Sequence, residues 1–145
     1  MQIRKAEEKD IPQLKALAKT FIEESKYPYT YSEAVVEINI RTYLSTPLVD
    51  FIVAELDGKI LGGFILVHAF DWAPEKTTYM SKFFISPECR GTEAARALAK
   101  EAVRLRQGIM FITSTAGIDD RKDRMFENLF KREGFAECGK ALVLV

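Results

Sequence analysis

Residues 79–106 read YMSKFFISPECRGTEAARALAKEAVRLR. A β-prone run extends to Ile85, Ser86-Pro87 ends it, and an Arg90-Gly91-Thr92 loop opens onto a helix that begins at Thr92 or Glu93. Ala95, Leu98, Ala99, Ala102, Val103 and Leu105 recur at helical spacing. They form a buried stripe whose small members imply close packing on a sheet. The first backbone amides of a helix have no partner within it and sit at the positive end of its dipole, so loop and helix together make an anion site. Gly108 stops the helix, and Ile109 to Thr113 is an apolar run of the kind found inside a parallel pairing. A right-handed strand, helix, strand crossover is the expected unit.

Upstream, Gln2 to Ala6 can form a short strand, and Asp10 with Gln13 three residues later gives a capping-box pattern for a first helix. Ile11, Leu14, Leu17, Ala18, Phe21 and Ile22 supply its apolar face. Ser32 caps a second helix with Val36, Ile40, Tyr43 and Leu44 on one face, ended by Pro47. The loop between them carries Tyr27, Tyr29 and Tyr31. These rings read first as a roof over the core; the sharper reading makes Tyr29 and Tyr31 a substrate-facing lip, since tyrosine combines rigid apolar area with one hydrogen bond. Phe51 to Leu56 and Lys59 to Ala69 are β-rich runs joined by Asp57-Gly58, a strong hairpin signal. Gly62-Gly63 marks a bulge or a close backbone approach. A loop with Asp71, Trp72 and Glu75 leads to a third strand from Thr77 to Ile85. Downstream, Asp119 or Asp120 caps a last helix bearing Met125, Phe126, Leu129 and Phe130, closed by Gly134, and Phe135 to Val145 adds one or two strands.

Composition narrows the partners. The 145 residues suit one domain, spanning 1–145. Lysine plus arginine equals aspartate plus glutamate at 21 each, so no excess positive charge is available for nucleic acid. The longest apolar run, Ile60 to Val67, is far short of the roughly 20 residues that span a bilayer. The N-terminal sequence lacks a signal-peptide core, and the two cysteines, Cys89 and Cys138, have neither metal-site spacing nor a disulfide framework. With His68 the only histidine, no zinc site is expected. A reducing, cytoplasmic setting is the expected one.

The element order, with Ile85-Ser86-Pro87, Arg90-Gly91-Thr92-Glu93-Ala94-Ala95 and the ending Phe130-Lys131-Arg132-Glu133-Gly134-Phe135, resembles the GNAT N-acetyltransferase family over essentially the whole chain. The resemblance implies an α/β (α+β) fold, with a central mixed, mostly antiparallel sheet of six to seven strands flanked by about four helices. It also implies acetyl-CoA as co-substrate. Backbone groups of Phe83, Phe84 and Ile85 would hold the pantetheine arm, and those of Arg90, Gly91, Thr92, Glu93, Ala94 and Ala95 the pyrophosphate. The family loop reads Arg or Gln, two residues, Gly, one residue, then Gly or Ala; Arg90 and Ala95 fit it, and Glu93 stands in place of the glycine. A carboxylate there is expected to weaken cofactor binding. Phe130 stands where many members carry a tyrosine that protonates the departing thiolate, which phenylalanine cannot do.

Candidates for a general base are Tyr79, His68, Asp71 and Glu75. Tyr79 lies six residues before Ile85, which strand alternation places on the same face. His68 has a suitable ordinary pKa, although a strand-end histidine is more often structural. Tyr29, Tyr31, Asp71 and Trp72 are the candidate acceptor walls. Cys89 reads as a turn residue, with a reactive thiol the sharper alternative; Arg121, Lys122 and Arg124 read as a solvated helix start, with a contact to the 3′-phosphate the sharper alternative. The expected function is transfer of acetyl from acetyl-CoA to a primary amine by direct attack in a ternary complex, and the reading leaves room for a homodimer. The competing function is a catalytically degenerate domain of this type acting as a binding or assembly module, which Glu93 and Phe130 keep in play.

Overall fold

A computed structural model describes residues 1–113, 119–139, 142 and 144. Strands β2 (Val49–Leu56) and β3 (Lys59–Phe70) form the hairpin that Asp57-Gly58 predicts. Both turn residues take positive φ, 51° and 77°, the twist a two-residue connection between right-twisted strands requires. Strand β1 (Gln2–Lys5) pairs antiparallel with β2, β4 (Lys76–Ile85) antiparallel with β3, and β5 (Ile109–Phe111) parallel with β4. The sheet order is therefore β1-β2-β3-β4-β5.

Helices cover both faces. Helices α1 (Ile11–Glu24) and α2 (Glu33–Ser45) place Ile11, Leu14 and Ile40 against Phe51, Val53 and Ile65. On the other face Ala94, Leu98 and Ala102 of α3 (Glu93–Leu105) meet Ile52, Ala54, Phe64 and Leu66. Helix α4 (Asp120–Lys131) lies on the α3 side, its Phe126 and Phe130 rings against Phe83 of β4. Because the middle of the sheet is covered on both sides, β2 and β3 are apolar almost throughout instead of alternating. Each large side chain buried there, such as Phe64 or Leu98, contributes roughly 1.5–3 kcal/mol. The close approach predicted at Gly62 is present: a Cβ there would lie 2.5 Å from the Phe84 carbonyl oxygen. No described helix is long and apolar enough to cross a membrane.

The structure corrects several expectations. Among the described residues the sheet has five strands, not six or seven. Residues 135–139 carry no strand, and 140, 141, 143 and 145 lie outside the described residues. Strand β5 stops at Phe111, and Ile109 and Phe111 are 56% and 40% exposed, so it is not the enclosed strand its composition suggested. Ser32 caps α2 and Asp119 caps α4 as expected, but Asp10 does not cap α1 with its side chain. Its carboxylate instead receives both terminal nitrogens of Arg4, at 2.7 and 2.8 Å, and the Glu7 amide at 2.8 Å. Gln13 is likewise diverted: its amide donates to the Gly58 carbonyl and accepts from the Ile60 amide, fastening α1 to the hairpin.

The largest correction concerns β4. Ile65 pairs with Lys82 and Leu66 with Met80, so Ser81 is an extra residue opposite β3 and the alternation of faces reverses across it. Tyr79 and Ile85 therefore lie on opposite faces: Met80, Phe83 and Ile85 pack on the α3 side, while Phe84 packs on the α1 side. Period-two counting assumes an unbroken pleat, and the bulge breaks it.

Asp10 is the buried anchor of β1 to α1. Arg4 holds its carboxyl below the usual carboxylate range, so the ion pair contributes stability above the unfolded aspartate value of about 4 and loses it as pH falls through the lower folded value. We expect Asp10→Ala to cost about 3 kcal/mol at pH 7, since the Arg4 guanidinium loses its main partner. In urea titrations the gap between wild type and variant should shrink below pH ~4.

Candidate active site

Parallel pairing between β4 and β5 runs only from Thr77–Ile109 to Tyr79–Phe111. Beyond Tyr79 the outer edge of β4 has no strand beside it among the described residues. A cleft of about 280 Å³ opens there, with Phe83, Phe84 and Ile85 of β4 on one side and Met125, Phe126 and Leu129 of α4 on the other. Leu17, Thr20 and Phe21 of α1 and the Arg90-Gly91-Thr92 loop with Ala95 and Arg96 also line it. Alternate residues of an unpaired strand edge direct N–H and C=O groups outward, so this wall offers backbone donors and acceptors in an otherwise apolar surface.

The turn and helix start around Arg90-Gly91-Thr92 are built as their sequence suggests. A 3₁₀ turn over Pro87–Cys89 ends β4, and Gly91 takes φ 74° so that Thr92 can start α3 in extended conformation. A Cβ on Gly91 would meet only Met125 Cε, at 3.8 Å, so the glycine serves the backbone angle and not a steric gap. Thr92 does not cap its own helix: its hydroxyl donates to the Cys89 carbonyl at 2.5 Å. The first-turn amides of α3 consequently lack the side-chain acceptor that Ser32 gives α2 and Asp119 gives α4.

The charge of the lining has one sign. Arg90, Arg96, Lys122 and Arg132 face the cleft, and no acidic residue lines it among the described residues. Arg90 is engaged by Glu24, the last residue of α1, and Lys122 lies 3.6 Å from Asp119. Arg96 and Arg132 pair with no carboxylate among the described residues. A helix N-terminus, two unpaired guanidiniums and a bare strand edge fit a long ligand that carries phosphates at one end and amides along its length.

Of the residues singled out in the sequence, Phe83, Phe84, Ile85, Arg90, Gly91, Thr92 and Ala95 line the cleft. Ala94 is buried beneath it, and Glu93 is exposed and outside the lining. Phe130 is fully buried, its ring 5.2 Å from Phe83, 5.0 Å from Phe126 and 5.5 Å from Phe135. Cys89 is partly buried against the core. The other candidates lie elsewhere. Tyr79 stacks on Phe111 at 5.7 Å on the opposite face from Ile85. His68 is buried between Thr78, 2.9 Å from Nδ1, and Asp50, 2.7 Å from Nε2, where it joins β2, β3 and β4. Asp71 accepts from the Trp72 amide at 2.7 Å, and Trp72 is fully exposed. Tyr29 is 62% exposed instead of roofing the core, and Tyr31 lies under the Lys19 ammonium, 5.8 Å from its ring. The sequence reading missed Leu17, Thr20, Phe21, Arg96 and Arg132, and it took Met125, Phe126 and Leu129 as core stripe. An apolar helix face gives no sequence signal that separates core from cleft wall.

The comparisons with known proteins agree with this geometry. An aminoglycoside 6′-N-acetyltransferase from Acinetobacter haemolyticus superposes with a TM-score of 0.76 at 15% identity, over 100% of this chain and 97% of that one. A predicted acetyltransferase from Clostridium acetobutylicum, solved with acetyl-CoA, gives 0.69 at 20% identity over 99% and 95%. An aminoglycoside acetyltransferase from an uncultured soil metagenomic sample, in complex with sisomicin, gives 0.68 at 16% identity over 99% and 93%. No curated protein matches in sequence. These likenesses establish the fold. The sequence profile of the acetyltransferase (GNAT) family, whose co-substrate is acetyl-CoA, matches residues 14–129, well over half of the chain, and the protein belongs to that family.

Proposed function

We propose that the chain is an N-acetyltransferase that moves acetyl from acetyl-CoA to a primary amine by direct attack in a ternary complex. The observation that carries this reading is the cleft where β4 outruns β5, with a helix N-terminus lacking a side-chain cap and only cations among its charged lining residues. When bound, acetyl-CoA supplies an activated thioester carbonyl. The α3 amides and Arg96 would hold its diphosphate, Lys122 and Arg132 its remaining phosphate, and the β4 edge its amide-bearing arm. Backbone N–H groups on that edge can also donate to a carbonyl oxygen, which lowers the cost of charge developing there.

Two positions bear on turnover. Glu93 is exposed and outside the lining, which supports cofactor binding despite its charge. Phe130 provides no proton donor and is sealed in an aromatic cluster. A thiol with an ordinary pKa of about 8.5 leaves tolerably well as the thiolate, so a dedicated acid at this position is not obligatory.

Three measurements test the reading. In scanning calorimetry, acetyl-CoA at ~100 times its dissociation constant should stabilise the fold by about 2.7 kcal/mol; no shift at millimolar concentration would remove the proposal. Thiol release should then appear with at least one member of a panel of primary amines, aminoglycosides included because two structural relatives act on them. Binding without release from any amine would favour a binding module instead. Arg96→Ala and Arg132→Ala should each weaken acetyl-CoA about tenfold while leaving Tm nearly unchanged, because each removes a charged phosphate contact and neither breaks an ion pair. Phe130→Tyr should lower stability by about 1–3 kcal/mol without raising kcat, because its hydroxyl enters an apolar cluster.

A further inference from the structure

Helix α1 ends at Glu24, whose carboxylate accepts from both terminal nitrogens of Arg90, Nη1 to Oε1 at 3.1 Å. Both side chains are about three-quarters covered, at 25% and 24% exposure. Two residues on, Lys26 lies 3.6 Å from Asp123 in the first turn of α4. The end of α1 is thus tied to both sides of the cleft mouth, to the anion loop through Glu24 and to α4 through Lys26. The tie to the loop has a chemical peculiarity. Arg90 lines the cleft, yet both of its terminal nitrogens already donate to a carboxylate. A phosphate in the cleft competes for those same donors and repels the Glu24 carboxylate at short range. Arg90 holds the Glu24 carboxyl below its usual range, so the competitor is an anion throughout neutral pH.

Resting on the donor assignment above, we propose that the Glu24–Arg90 pair is a latch opened by the acyl donor. A phosphate of acetyl-CoA takes the Arg90 guanidinium from Glu24, and the end of α1, left with the Lys26–Asp123 tie to α4, loosens its hold on the segment Ser25–Tyr31 that follows it. Donor occupancy is thereby communicated to the tyrosine-bearing loop between α1 and α2. The empty enzyme keeps that loop strapped; the loaded enzyme does not.

Titration calorimetry and amide hydrogen exchange test this together, with Glu24→Gln and Glu24→Ala as two independent variants. Each should bind acetyl-CoA about three- to tenfold tighter than wild type, because the competing anion is gone. Exchange at residues 25–31 should quicken in wild type when acetyl-CoA is added and should already be fast in both variants without it. Unchanged or weaker binding by the two variants, or a loop that becomes more protected in loaded wild type, would overturn the latch while leaving the donor assignment intact. Absence of binding by wild type and variants alike would overturn the donor assignment and the latch with it.

Discussion

Backbone N–H and C=O groups on a strand edge need partners, and β4 has them on its outer edge only as far as Tyr79. Up to that point β5 supplies them; after it, six residues of strand run on to Ile85 with no strand on that side among the described residues. The neighbouring elements accommodate this. Helix α4 stands off from the edge instead of covering it and leaves the cleft between them. Phe83 is the hinge of the arrangement, since its ring touches Phe126 and Phe130 while its backbone belongs to the bare edge. The aromatic cluster sets how far α4 stands from that edge.

The bulge at Ser81 works on the same strand. By inserting one residue opposite β3, it turns Phe83 and Ile85 toward α3 and α4 and sends Phe84 to the α1 face. Without it the side chains of Phe83 and Ile85 would trade faces with those of Lys82 and Phe84, putting a lysine into the core beside Phe64. The register shift is thus required by the hydrophobic pattern on both sides of the sheet, and it also explains why Tyr79 does not share a face with Phe83 and Ile85.

Much of the fold was legible because its signals are local. Asp57-Gly58 specifies a hairpin by backbone twist, Ser32 and Asp119 specify helix starts by hydrogen bonding, and the Ala-rich stripe of α3 specifies close packing. The readings that failed depend on partners distant in sequence. Asp10 looks like a cap until Arg4 is seen to claim its carboxylate, and Gln13 looks like the other half of a capping box until the β2–β3 hairpin arrives beside it. The site divides in the same way. The loop from Arg90 to Ala95 is one contiguous stretch and could be read, whereas the walls from α1 and α4 come from residues 17–21 and 122–132 and meet only in the folded chain. His68 was indistinguishable from a base in sequence because the partners that hold its ring, Asp50 and Thr78, come from two other strands.

Glu93 shows why a motif mismatch need not be a lost site. Helical residues advance by about 100° of rotation per position, so Glu93 and Ala95 project about 200° apart around the helix. Ala95 lines the cleft and Ala94 is buried beneath it; the Glu93 carboxylate is therefore carried round toward solvent. The backbone amides of that first turn obey a different geometry, since all of them point along the axis whatever the side chains do. A residue at this position can consequently present its N–H along the helix axis while its side chain stands outside the cleft. What the glycine of the usual loop supplies is closeness of approach, and what Glu93 changes is the field near the helix terminus. Against that one carboxylate, already in water and screened by it, stand Arg96 and Arg132 in the cleft lining, neither paired with a carboxylate among the described residues, so the charge at the mouth is net positive.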